Sequence, residues 1–459
     1  MRAPATPGSI VDLPFAPGGE GLRTVLSFRR DPLGTLARAA EAAGDHFRFR
    51  ATSRVWVAVL RSPEAIKHVL VDHPARYTKQ SRGYKKLREF LGQGLLTSEG
   101  EFWRRQRRIA QPAFHRDRVA GFATTMVAAT QAMLRRWEPL AARGQAVDVD
   151  QEMMRLTLQI AGETLLSADV DRDADRVGEA VSTLNEHASH TMMRLLAPPI
   201  WVPTPRNRRA LAAARHLDRI VLGILAERRR TGEDRGDLLS MLMRAVDEET
   251  GARMSDAQLR DEVLTIFLAG HETTANALTW TLYLLSKAPT IADRVHAELT
   301  AALAGRAPTV DDLPRLPLVE RVIKESLRLY PAAWSIGRFT ADEDAVVGYR
   351  VPARSIVLIS PWLAHRNPAH WPNPEGFDPD RFLPERERER PRHAYLPFST
   401  GPRVCIGNVF AMMEARLCLA TILQRFRPAL VGGAKVEPAP LITLRPRGGV
   451  RMTLDRPPG

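Results

Sequence analysis

The sequence predicts a mainly α-helical protein with a smaller β portion. Three observations carry this reading. Almost everything from about 62 to 330 repeats its apolar residues with helical period, broken only by short Pro/Gly stretches such as Ala197-Pro198-Pro199-Ile200-Trp201-Val202-Pro203. The stretch from His46 to Leu60, HFRFRATSRVWVAVL, alternates aromatic and β-branched side chains as a β-hairpin does. Strand-like pieces return near 338–359 and again at the C-terminal end, so the β portion lies near both ends of the chain.

Taken in order, residues 1–25 read as an arm with turns at Pro7-Gly8 and Pro17-Gly18-Gly19. Asp31 to Ala43 has helical period, and the hairpin follows. Ser255-Asp256-Ala257-Gln258 is a capping box. The helix it opens is expected to reach Lys287, roughly 48 Å at 1.5 Å per residue. Ala345 to Val351 reads as a turn between strands. Residues 366–403 hold eight prolines and little periodicity, and so long an irregular stretch is usually functional. Within it Arg386 to Arg390 (RERER) reads as a solvated loop, and a helix is expected over about 406–426. No internal repeat is present.

Composition removes several classes. With 44% apolar and 26% charged residues, the chain is neither disordered, collagen-like, nor a small disulfide scaffold. The two cysteines, Cys405 and Cys418, make no disulfide framework and fit a reducing cytosol. The Pro/Gly-rich N-terminus carries no apolar run, so no signal peptide is expected, and no apolar run anywhere is long enough for a membrane anchor. A cytoplasmic protein is expected. The formal charge is +14, nearly all of it from arginine. Such a balance suits nucleic acid, an anionic membrane surface or an acidic protein, and equally an Arg- and Ala-rich coding bias.

The most informative segment is Phe398-Ser399-Thr400-Gly401-Pro402-Arg403-Val404-Cys405-Ile406-Gly407. Gly401, Pro402 and Gly407 let backbone turn tightly and approach a bound group. A cysteine just ahead of a helix faces free N–H groups and the positive end of the helix dipole, which favour thiolate over thiol. Arg403 adds a cation in the same loop. A lone cysteine near a helix start is usually a buried inert thiol, and Cys418, flanked by Leu417 and Leu419, takes that reading. A thiolate among tight-turn residues suits an axial ligand to haem iron, where it promotes O–O cleavage.

In the middle of the long helix stands Ala269-Gly270-His271-Glu272-Thr273-Thr274. A carboxylate in an apolar helix is costly without partners. Gly270 weakens the helix, and local distortion there would leave a groove for a small ligand. His271-Glu272 begins like the zinc pattern His-Glu-x-x-His, but the fifth residue is Ala275 and the second ligand is missing.

The cysteine segment resembles the haem-binding signature of the cytochrome P450 family, Phe-x-x-Gly-x-Arg-x-Cys-x-Gly, at every fixed position. The six helix residues resemble the family's oxygen-binding stretch. Lys324-Glu325-Ser326-Leu327-Arg328 and Arg381 resemble its Glu-x-x-Arg motif and meander, and Trp103 with Arg107 its Trp-x-x-x-Arg helix. The resemblance covers about 30–445.

It implies a single large P450-type fold, with an arm at 1–25, one haem-thiolate monooxygenase domain over 26–459, and the long helix crossing over haem b. It implies Cys405 as the iron ligand, with Phe398, Gly401, Arg403 and Gly407 around it. Trp103, Arg107 and Arg338 would hold the haem propionates, and Glu272 and Thr273 would deliver protons. Glu325, Arg328 and Arg381 would form a buried structural network. Tyr84, Phe90, Leu91, Phe267, Ala269, Ala333, Trp334, Ser335, Ile442 and Thr443 are the candidates for a pocket taking a hydrophobic substrate, a fatty acid, terpenoid or steroid.

The sequence ends about 50 residues after Cys405, so no fused flavin domain is expected. Electrons from NAD(P)H are therefore expected through a separate ferredoxin or flavodoxin, steered by Arg104, Arg105 and Arg108. A monomer that uses O2 and binds no nucleic acid is expected. A haem-thiolate peroxygenase or isomerase would share the cysteine loop but often lacks the acid–alcohol pair.

Overall fold

The structure is a computed structural model that describes residues 11–17, 22–52, 55–167, 174–193 and 197–457. The turn expected at Pro7-Gly8, and the glycines of the one at Pro17-Gly18-Gly19, lie outside the described residues. The chain divides into two compact units. One comprises Met1–Lys85, Arg328–Gly376 and Leu383–Cys405; the other comprises Lys86–Leu327, Phe377–Phe382 and Ile406–Gly459.

The first unit is built on a five-stranded sheet. The hairpin His46–Thr52/Val55–Leu60 pairs antiparallel with Phe47 opposite Val59, as the alternation predicts. Val55–Leu60 then pairs in parallel with Ser355–Ile359, which pairs antiparallel with Ile336–Thr340. Short Tyr77–Thr78 closes the order. Ala58, Leu60, Val357 and Ile359 are buried, and Ile66, Val69, Leu70 and Leu396 complete that core. Asp31 caps the helix Pro32–Ala43 by accepting the Gly34 N–H at 2.9 Å. The turn expected near 345–351 joins Asp344–Val346 to Tyr349–Val351, with Val347 and Gly348 at positive φ as a tight hairpin requires.

One correction concerns Arg386 to Arg390. Residues Pro384–Glu389 form a short exposed helix, not a loop. Proline at its first position and glutamates in its first turn favour a helix start.

The second unit is helical. Its longest helix, Asp256–Lys287, has 32 residues and opens on the expected Ser255/Gln258 capping box. Every residue from Thr274 to Leu282 is buried, so this part is a core helix covered on all sides. The helix runs unbroken through Gly270. Three consecutive carbonyls there accept hydroxyl bonds: Ala269 from Thr273 at 2.8 Å, Gly270 from Thr274 at 3.2 Å, and His271 from Thr157 at 2.9 Å. Around it lie Val149–Ala161, Pro205–Thr231 and Asn408–Arg425. Two small sheets near the C-terminus complete the unit, one of them placing Leu444–Pro446 beside the long helix.

Candidate active site

In the cysteine segment the chain folds back on itself. The Cys405 N–H donates to the Phe398 carbonyl at 2.9 Å and the Val404 N–H to Gly401 at 3.0 Å. Gly401 has φ 75°, and a Cβ on it would overlap the Leu70 carbonyl oxygen. Both facts exclude other residues at that position. Gly407 has no such demand from the chain, since a Cβ there would meet only the Phe114 ring at 3.9 Å. Cys405 is exposed, three residues ahead of the helix Asn408–Arg425, which begins two residues later than predicted.

The two thiols differ in what they can hold. Cys418 is wholly buried inside that helix, accepts the Thr130 hydroxyl at 3.2 Å, and has its pKa pushed up by burial. It stays a protonated thiol and has no open face. Cys405 is accessible and sits among turning backbone. Arg338, in the same unit as Cys405, is 5% exposed, donates to the Gly337 carbonyl at 2.9 Å, and has no carboxylate partner among the described residues. A buried guanidinium without an anion suits the carboxylate of a bound group. An accessible thiol and a buried, anion-free cation fit a haem with propionates.

On the long helix Glu272 is 2% exposed, and its carboxylate has three donors. Arg445 Nε donates to Oε1 at 2.6 Å, Thr443 Oγ1 donates to the same oxygen, and Asn185 Nδ2 donates to Oε2. An ionised carboxylate has about four acceptor positions. One therefore remains, on Oε2. Thr273 is half-buried beside Leu268, Ala269 and Gly270, which are also incompletely buried, while the rest of the helix's middle is covered. Among the described residues no cluster of three or more His, Cys, Asp and Glu could hold a metal ion.

Glu325, Arg328 and Arg381 are all buried. Arg381 pairs with Glu325 at 3.3 Å, and Glu325 also accepts the Asp378 N–H at 2.9 Å. Arg328 donates to the carbonyls of His365, Pro374 and Gly376 at 3.0, 2.6 and 2.8 Å. Its role in the first unit is to gather backbone carbonyls of the irregular segment, as five fixed donors allow.

Trp103 and Arg107 lie one turn apart on the helix Gly100–Ala110, both half-buried. The arginines read as facing an acidic partner are mostly engaged. Arg104 pairs with Glu101, and Arg108 pairs with Asp247 at 3.0 Å and Glu249 at 2.9 Å. Arg105 alone of the three has no carboxylate partner among the described residues, its guanidinium lying over the Phe102 ring. The acids that quench Arg108 lie far along the chain, and no local pattern showed them.

The pocket candidates separate as well. Phe90, Leu91 and Phe267 are buried apolar residues, and Tyr84 and Ser335 are half-buried. Ala269 and Ala333 are exposed. Trp334 is core, 3% exposed, with its carbonyl accepting the Ser360 hydroxyl at 2.9 Å. Thr443 is committed to Glu272 and to Asn276, 3.2 Å away, and Ile442 is tied by its N–H to Ser189 at 3.0 Å. Sequence reasoning missed Arg445 and Asn185. The one available signal was that Thr443 and Arg445, two apart in an extended segment, point to one face.

The profile of the family described as Cytochrome P450 matches residues 22–449. The chain is 40% identical to cyclooctatin synthase of Streptomyces melanosporofaciens over 95% of its length and 94% of the relative's. It is 38% identical to cyclooctat-9-en-7-ol 5-monooxygenase of the same organism, covering 94% of each. It is 36% identical to pentalenene oxygenase of Streptomyces avermitilis, covering 86% of this chain and 87% of that one. Among solved structures, the crystal structure of the cytochrome P450DA heme domain superposes with a TM-score of 0.89 at 28% identity, covering 98% of both chains. A cysteine loop, a buried carboxylate on an unbroken core helix and these likenesses converge: the chain belongs to the cytochrome P450 family.

Proposed function

We propose that this P450 monooxygenase hydroxylates a cyclic terpenoid, an alkene or an alkenol, with electrons from NAD(P)H delivered by a separate ferredoxin or flavodoxin. One observation supports the substrate class. Relatives matching over most of the chain at 36% and 38% identity are named for pentalenene and for cyclooctat-9-en-7-ol. The apolar residues Phe90, Leu91 and Phe267 suit such a molecule, which needs few polar contacts.

The family's cofactor is haem b, bound through a cysteine. Haem supplies the activation of O2 when bound. Cys405 is our candidate for its ligand, because Cys418 is a buried thiol held by Thr130. Phe398, Gly401, Arg403 and Gly407 shape the loop around it. Arg338 is our candidate for one propionate on its burial without an anion, and Trp103 and Arg107 rest on their motif alone.

Proton delivery is assigned to Glu272 and Thr273. Three donors hold the Glu272 carboxylate in place, leaving Oε2 one acceptor position through which a proton can pass. The Thr273 hydroxyl is anchored on the Ala269 carbonyl at 2.8 Å, which fixes where its oxygen accepts.

The test is a titration of the ferric holoprotein with a cyclic terpene hydrocarbon, a cyclic terpene alcohol, a long-chain fatty acid and a steroid. A low-to-high-spin shift is expected with a terpenoid, at least about tenfold tighter than with the other two. A full shift with the fatty acid or steroid and none with either terpenoid overturns the substrate class.

A further inference from the structure

We infer that His187 is the polar contact that recognises the substrate: its ring nitrogen Nδ1 hydrogen-bonds a hydroxyl already carried by the terpenoid, so that the substrate is an alcohol and not a hydrocarbon. The inference rests on the substrate class proposed above and narrows it.

His187 stands on the helix Ala174–Met193 and is 3% exposed. Its ring meets that of Phe90 edge-on, with centroids 5.4 Å apart and planes at 82°. Phe90 shares one apolar cluster with Phe267, and Leu184, one turn before His187 on the same helix, belongs to that cluster too. The imidazole is therefore set against the apolar residues assigned to the substrate.

Its Nδ1 is buried and has no hydrogen-bond partner among the described residues. A buried polar atom left unsatisfied is costly, and a leucine at this position would extend the cluster without that cost. The other buried histidine of this unit, His271, sets its Nδ1 3.2 Å from the Phe267 carbonyl. The polar neighbours of His187 on its own helix are engaged as well. Asn185 donates to Glu272, and the Ser189 hydroxyl accepts the Ile442 N–H at 3.0 Å. Only a group from outside the chain accounts for the imidazole.

The chemistry of the ring selects that group. Burial holds the His187 pKa below its ordinary value, with Arg206 and Lys86 acting in the same sense and Glu89 against them. These ions do not take the ring as partner: Lys86 and Glu89 pair at 2.7 Å, and Arg206 contacts the ring of His190. The imidazole is then neutral at pH 7, one nitrogen a donor and the other an acceptor. A hydroxyl both donates and accepts, so it answers Nδ1 in either tautomer. A ketone oxygen only accepts, a hydrocarbon leaves Nδ1 unsatisfied, and a carboxylate would bring a charge among apolar side chains.

The experiment titrates the ferric holoprotein with matched pairs of cyclic terpenoids and reads Kd from the spin-state shift. The pairs are limonene with α-terpineol, cedrene with cedrol, and abietadiene with abietadienol. In the pair that binds most tightly, the alcohol should bind at least about tenfold tighter than the hydrocarbon. His187→Leu should bring that ratio within about twofold of one and leave the Kd of the hydrocarbon within about twofold of its parent value. A merely structural imidazole would move both ligands together. In the absence of ligand, the Tm of His187→Leu should equal or exceed that of the parent, because an unpartnered polar group has been replaced by an apolar one.

Three results overturn the inference while leaving the substrate class standing: equal affinity for alcohol and hydrocarbon in the parent; an undiminished preference in His187→Leu; or a variant that weakens both ligands alike, loses several degrees of Tm or fails to fold, which makes the ring a structural group. A spin-state shift with no member of any pair overturns the substrate class itself, and this inference with it.

Discussion

Arg445 donates through Nε to the carboxylate of Glu272 at 2.6 Å, joining the strand Leu444–Pro446 to the middle of the long helix. Glu272 is 2% and Arg445 16% exposed at the side chain, so the pair is desolvated on both sides. Thr443 and Asn185 complete the shell. The acid proposed to pass protons is therefore also an internal structural anchor. Its carboxylate is positioned by elements from three parts of the chain.

Breaking one side of a buried pair leaves the other charge stranded. Arg445→Leu should lower stability by about 3 kcal/mol, and adding Glu272→Gln should recover most of that loss. Thermal unfolding of the two single variants and the double variant checks this. Strict additivity would show that the pair carries no coupling.

The cysteines should separate cleanly. Cys405→Ser should abolish the thiolate-type absorption of the reduced carbon monoxide complex. Cys418→Ala should keep that band and cost about 1 kcal/mol of stability, the loss of a small buried side chain and one weak hydrogen bond. Retention of the band in Cys405→Ser would remove Cys405 as ligand.

Thr273 and Thr274 look alike in sequence but not in place. Thr273 is half-buried, whereas Thr274 is 3% exposed. Thr273→Ala should lower product formed per NADPH consumed by about tenfold and release peroxide instead. Thr274→Val should change coupling less than about twofold. Peroxide yield and product measured on the same turnover distinguish the two.

Glu262 supplies a pH test. It is 1% exposed, accepts the Leu95 N–H at 2.9 Å, and burial pushes its pKa up to about 8 from an ordinary 4.5. The folded protein thus holds a proton that the unfolded chain has released. The stability this group contributes is complete below 4.5, declines above it, and is lost as pH rises through 8. Glu262→Gln keeps the acceptor and cannot ionise. Its Tm should exceed that of the parent by several degrees at pH 8 and by little at pH 5. Parallel Tm–pH curves for the two proteins would place the titration elsewhere.

How far the sequence could be read follows from how local each feature is. The hairpin, the Ser255 cap and the Cys405 segment are written in contiguous residues, and each appears where expected. The RERER segment misled, because alternating charge said solvent but not which backbone state. Arg104 and Arg108 misled for a different reason. A run of arginines reads as a free basic face, although Glu101 stands one turn before Arg104 on the same helix and folding brings Asp247 and Glu249 to Arg108.

The order of residues alone pointed to the chemistry proposed here: one cysteine in a turning loop, and an acid and an alcohol side by side on a core helix. Those depend on neighbours in the chain, and local backbone preference is enough to place them. Which groups surround the acid was decided only by folding. Arg445 lies 173 positions from Glu272, and in a chain so rich in arginine no pattern singles it out. A carboxylate taken out of water must find its donors wherever packing brings them, and packing is a property of the whole chain.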